Sequence, residues 1–127
     1  MPAEPIKILL IDDNDDDARI MQRMIEDIDR DNLIFRHYQD EDSAVAALDS
    51  EPFDMIFLDN RLTRLTGVEL LSEIRARGHT LPVIYCSTLA DPRITDDLQR
   101  LDCNLSIEKE DLDAATIESI INQVLNL

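Results

Sequence analysis

Short apolar runs alternate with longer helical patterns along the chain. Ile6 to Ile11 is followed by Ala18 to Ile28, Leu33 to Tyr38 by Ala44 to Leu48, and so on to Leu125, five times in all. The segments KILLI, MIFL and VIYC are nearly unbroken apolar stretches, as central parallel strands covered on both faces require. Leu33 to Tyr38 is more polar and suits an edge. Alternation of this kind predicts an α/β fold, a doubly wound parallel sheet with helices on both sides. Helix starts are legible too. Asn14 or Asp15 can cap a first helix in which Ile20, Met21, Met24, Ile25 and Ile28 recur at helical spacing. Asp91 followed by Pro92 predicts a fourth helix from about residue 92. Asp113 predicts the start of the last helix, with Leu112 and Ile117 at the two staple positions and a packing face of Ile117, Ile120, Ile121, Val124 and Leu125.

Polar residues stand where the apolar runs stop: Asp12 and Asp13 after the first, Asp59 after the third, Ser87 after the fourth and Lys109 after the fifth. If the runs are parallel strands, these side chains emerge at one carboxyl edge, where open α/β sheets hold their ligands. Three carboxylates together need a cation. Oxygen ligands without a thiolate or a suitable histidine fit Mg²⁺.

Composition narrows the choices. The 127 residues, 44% of them hydrophobic, make one ordinary domain over 1–127, with a core expected in 6–125 and no output domain, repeat or linker. The segment Met1 to Pro5 has no export signal and no run is long enough to span a membrane, so a cytoplasmic protein with no membrane partner is expected. Cys86 and Cys103 read as reduced, buried thiols. With 28 acidic against 12 basic residues, a net charge of −16 and scattered arginines, direct nucleic-acid binding is not expected. His37 and His79 have no second ligand at metal spacing and read as surface histidines. Asp15 to Asp17 read as a solvated, capped helix start.

The chemistry that fits three acids, a hydroxyl and a lysine around Mg²⁺ is phosphoryl transfer to a carboxylate. Asp59 stands alone at the end of the most apolar strand and is the natural nucleophile. The adjacent Asp12 and Asp13 suit metal binding. Lys109, one of only two lysines, would pair with a phosphoryl oxygen, and Ser87 would donate a hydrogen bond to another.

With these residues in place, residues 6 to 125 resemble a receiver domain of the bacterial two-component response regulators, with Gly67, Leu70, Leu71 and Pro82 also at family positions. The resemblance implies a flavodoxin-like sheet of order 2-1-3-4-5 with five helices, and acceptance by Asp59 of a phosphoryl group from the phosphohistidine of a histidine kinase or a phosphotransfer protein. It implies that Asp13, Asp59 and the backbone carbonyl of Arg61 bind Mg²⁺ directly, with Asp12 acting through water. A stand-alone receiver that signals to a downstream protein, rather than a turnover enzyme, is the expected function.

Departures from the family pattern fall beside the site. Glu110 replaces the usual Pro after the lysine, which predicts a trans peptide, since a non-Pro cis bond costs about 2.5–4 kcal/mol, and a shifted loop from 109 to 113. Ser106 replaces the aromatic residue that many members rotate on activation, Thr63 replaces a Pro and Thr88 an Ala. Arg61 and Leu89 occupy the variable positions that tune acyl-phosphate hydrolysis in the family. Ser87, Thr88, Ser106 and Glu110 are therefore the expected switch and interaction surface. Two alternatives use the same residues. One is a receiver-shaped module whose partner binding ignores phosphorylation. The other, a haloacid-dehalogenase-like phosphatase, would want an acid at position 61, which is Arg.

Overall fold

The computed structural model describes residues 4–89, 91–103 and 105–127; the reading of Met1 to Pro5 lies mostly outside them. Among the described residues five strands, β1 (Ile6–Ile11), β2 (Leu33–Tyr38), β3 (Met55–Asp59), β4 (Val83–Ser87) and β5 (Leu105–Glu108), alternate with five α-helices, α1 (Asp15–Glu26), α2 (Glu41–Ser50), α3 (Gly67–Ala76), α4 (Thr95–Arg100) and α5 (Ala114–Leu125). The strands form one parallel sheet of order β2-β1-β3-β4-β5. The central strands β3 and β4 are buried along their whole length, and β2 lies at an edge, as its polarity required.

Because side chains alternate along a strand, each sheet face builds its own core. Ile8, Leu10, Met55, Phe57 and Ile84 pack against Met21 and Ile25 of α1 and Ile117 and Ile121 of α5. On the other face Leu9, Ile11, Ile56, Leu58 and Tyr85 meet Val45 and Leu48 of α2, Leu70 and Ile74 of α3, and Leu98 of α4. Burial of this kind contributes roughly 25 cal/mol for each Å² of apolar surface. Cys86 and Cys103 are buried free thiols.

The caps follow local chemistry. Asn14 accepts from the backbone N–H groups of Asp16 and Asp17 at the start of α1, and Asp113 accepts from Thr116 N–H at α5. Thr66 and Glu69 form a reciprocal capping box that starts α3. The fourth helix departs from its expected start. Asp91 accepts from Arg93 N–H and tightens Pro92–Ile94 into a 3₁₀ turn, so the α-helix begins only at Thr95 and lasts six residues. At the far end of β5 the Lys109–Glu110 peptide is trans and Lys109–Asp111 forms a 3₁₀ turn closed by Leu112 N–H on the Lys109 carbonyl.

Gly67 fixes how closely α3 approaches the strand that carries Asp59. A Cβ there would lie 2.5 Å from the Asp59 backbone oxygen and 2.7 Å from Cε2 of Tyr85. Gly67→Ala is therefore expected to push α3 away from β3 and β4 and to destabilise the fold by about 2 kcal/mol, within the range for overpacking. Urea unfolding measures it. A change smaller than about 0.5 kcal/mol would mean that the approach is looser than described.

Candidate functional site

Sheet register assembles the site. Ile11 pairs with Leu58, so the next residues, Asp12 and Asp59, emerge side by side where β1 and β3 end. Cys86 pairs with Asp59 and Ser87 with Glu108, which places Ser87 and Lys109 one and two strands further along the same edge. Alternation then decides the faces. Asp12, Asp59 and Lys109 continue the α1/α5 face, whereas Ser87 continues the face of Val83 and Tyr85 and approaches from the α3/α4 side.

The carboxylates meet. Asp12, Asp13 and Asp59 each offer an oxygen within 4.8 Å of the others, with Asp12 and Asp59 buried at 2% and 4% exposure and Asp13 exposed. Asp12 Oδ1 accepts from Asn14 N–H, which anchors the acid against the start of α1. Lys109 Nζ lies 3.0 Å from Asp12 Oδ2, 3.1 Å from Asp59 Oδ1 and 2.8 Å from Asp17 Oδ2. Burial and the charge of Asp12 push the Asp59 carboxyl up to about 6, against the pull of Lys109. Burial opposes the charge on Lys109, yet its bonds to Asp17 and Asp12 and the nearby charge of Asp59 hold the ammonium above its ordinary value. One cation shared among three acids leaves the group net negative. A hard divalent cation is the complement that such oxygen donors select.

The remaining expected residues surround the acids. Ser87, 7% exposed, lines a cleft of about 830 Å³ together with Arg61, Tyr85, Leu89, Asp97 and Ser106. Ser106 is exposed beside Tyr85, and Thr88 and Glu110 are exposed beyond β4 and β5. The expected switch residues thus divide, with Ser87 and Ser106 on the cleft and Thr88 and Glu110 outside its lining. Thr63 is exposed but not idle, since its hydroxyl donates to Glu41 at 2.6 Å.

Three contacts correct or extend the sequence reading. Asp17 is not merely a solvated helix start, because α1 begins directly above the acids and brings it to Lys109. His37 is half-buried, with Nε2 2.7 Å from the Asp12 carbonyl oxygen, since β2 runs beside β1 and their residues pair one to one. Glu41, at the start of α2, is 2% exposed and its carboxylate accepts from Thr63 Oγ1 and from the backbone N–H groups of Arg64 and Leu65. A glutamate beside the helix cap Asp40 reads in sequence as a first-turn acid, which hides its role as anchor of the loop after Asp59.

The comparisons with known proteins agree with this geometry. The sequence pattern of the response regulator receiver domain matches residues 8–122. A protein-glutamate methylesterase/protein-glutamine glutaminase of the group 3 operon of Bradyrhizobium diazoefficiens is 32% identical over 91 residues, which are 72% of this chain and 24% of that protein. Stress response regulator protein 1 of Debaryomyces hansenii is 37% identical over 73 residues, 58% of this chain and 30% of that one. The chain therefore spans less than a third of these two relatives. In shape it is similar to a CheY-like response regulator receiver domain protein of Methanospirillum hungatei, with a TM-score of 0.85 at 15% identity over 97% of this chain and 95% of that one. A match running from β1 into α5, on a sheet of this order with its acids at the strand ends, means that the chain belongs to the response regulator receiver domain family of two-component systems.

Proposed function

We propose that the chain accepts a phosphoryl group on Asp59 from a phosphohistidine of a histidine kinase or phosphotransfer protein, in an Mg²⁺-dependent step, and signals by binding a downstream protein. The observation that carries this reading is the convergence of Asp12, Asp13 and Asp59 within 4.8 Å under a lysine. An Asp59 carboxylate oxygen attacks phosphorus, the phosphorus–nitrogen bond breaks, and the imidazole keeps the electron pair and takes a proton from water. The product is an acyl phosphate on Asp59. Lys109 pairs with one phosphoryl oxygen and Ser87, from the opposite sheet face, donates to another. Asp12, Asp13, Asp59 and the Arg61 carbonyl are the groups that would hold Mg²⁺. The metal, when bound, neutralises charge on the transferred group.

Ser87, Thr88, Ser106 and Glu110 supply the surface on which the modification is read. Without an aromatic residue at 106, the readout rests on Ser87 and the loops beyond β4 and β5. A module indifferent to phosphorylation would give the acid and lysine cluster nothing to do. The methylesterase and glutaminase activities named for the first relative are those of that longer protein. This chain is a phosphoacceptor that we place in the cytoplasm, with no direct nucleic-acid or membrane partner; no helix among its described residues is long and apolar enough to cross a membrane.

Incubation with a radiolabelled phosphohistidine donor tests the reading. Wild type is expected to take up label only with Mg²⁺, and Asp59→Asn to take up none. Equal label on both proteins would overturn it.

A further inference from the structure

Lys109 donates hydrogen bonds to Asp12 and Asp17 and forms an ion pair with Asp59, so three carboxylates crowd its ammonium. Its partners are Asp12 Oδ2, Asp59 Oδ1 and Asp17 Oδ2, and the contact to Asp17, at 2.8 Å, is the shortest. A phosphoryl oxygen on Asp59 must therefore displace a carboxylate from the ammonium or share it. The three acids differ in how readily they can let go. Asp12 and Asp59 are buried within the site, whereas the Asp17 side chain is 39% exposed on the first turn of α1 and water can replace its partner. Room for the lysine stem to swing is also present, in a cavity of about 110 Å³ lined by Leu10, Met21, Met24, Cys86 and Leu112 as well as by Asp17 and Lys109 themselves.

We propose that Asp17 is a positioning residue that parks Lys109 against α1 and competes with the phosphoryl group for its charge. The proposal rests on the reading of Asp59 as phosphoacceptor and adds a brake to it. The same contact has the opposite effect on metal. By drawing the ammonium toward α1, Asp17 weakens its hold on Asp12 and Asp59, the acids that would receive Mg²⁺. Its own negative charge works in the same direction. Loss of the Asp17 charge should therefore favour the phosphoryl group and disfavour the metal, two shifts of opposite sign from one substitution.

The test compares wild type, Asp17→Asn and Asp17→Glu. Mg²⁺ alone is titrated by calorimetry, and beryllium fluoride, a mimic of a carboxylate-bound phosphoryl group, is titrated in saturating Mg²⁺ by fluorine NMR. Asp17→Asn, whose amide oxygen can still accept from Lys109, is expected to bind beryllium fluoride about fivefold more tightly, the fold-change that ~1 kcal/mol makes. Its Mg²⁺ affinity is expected to fall by about threefold. Asp17→Glu, which keeps the charge, should return both toward wild type. If both affinities move together or neither moves, Asp17 only supports the start of α1 and the proposal is overturned while the Asp59 reading stands. Failure of the wild type itself to bind beryllium fluoride in saturating Mg²⁺ would overturn both.

Discussion

Lys109→Met is expected to cost the metal-free protein about 3 kcal/mol of stability, because removing one partner from a buried ionic group strands the other. The stranded groups are Asp12 and Asp59, almost fully buried and already in mutual repulsion, which is why Asp59 is pushed up to about 6 even with the lysine present. Methionine keeps most of the apolar stem of lysine and removes the ammonium, so the loss chiefly isolates the charge. Two responses can relieve the variant. Protonation of one acid lets it regain stability as pH falls, since an acid with a raised folded-state value is least costly when neutral. Mg²⁺, by occupying the same carboxylates, should restore most of the loss and bind more tightly than to wild type, because the competing ammonium is gone. Urea unfolding in chelator and in Mg²⁺ measures both effects. A variant as stable as wild type in chelator would mean that the acids are solvated rather than buried.

Glu41→Ala is expected to destabilise the protein by about 3 kcal/mol, since two part-buried backbone N–H groups lose a charged acceptor and hydrogen bonds to charged groups contribute roughly 1.5–3 kcal/mol each. Those groups, on Arg64 and Leu65, belong to the loop that joins Asp59 to α3, and Thr63 loses its partner as well. The loop also contains Arg61, whose carbonyl is a proposed Mg²⁺ ligand, so Mg²⁺ affinity should fall together with stability. The pH dependence has a definite sign. Burial raises the Glu41 carboxyl, but its hydrogen bonds from Thr63, its own backbone, Arg64 and Leu65 outweigh this and bring it from 4.5 down to about 2. Its contribution is therefore complete above about pH 4.5 and is lost as pH falls toward 2. Glu41→Gln should flatten the acid limb of the stability curve in that window. An unchanged acid limb would show that the carboxylate is not held as described.

The sheet was legible because its signals are local. KILLI, MIFL and VIYC are short, nearly unbroken apolar runs as central strands buried on both faces require, and the polar residue ending each run marks the carboxyl edge without knowledge of any partner. Asp12, Asp13, Asp59 and Lys109 were found together for that reason. Asp17, Glu41 and His37 were not, because each acts through a contact that depends on how separate elements pack. Asp17 reaches a residue 92 positions away, Glu41 holds a loop 22 to 24 positions away, and His37 meets Asp12 only through strand pairing. All three also have innocent local explanations as helix-start acids or a strand polar residue. The fourth helix failed differently. Asp91 and Pro92 mark a start correctly, but a cap and a Pro fix the first turn and not its winding, which here is 3₁₀.

The central claim concerns one oxygen, that of Asp59. After incubation with a phosphohistidine donor and Mg²⁺, borohydride converts an aspartyl phosphate to homoserine, and peptide mass spectrometry locates the converted residue. Homoserine at position 59 alone, formed only when Mg²⁺ is present, is the predicted result. Conversion at Asp12, Asp13 or any other residue, or a labelled chain with no conversion at 59, would contradict it.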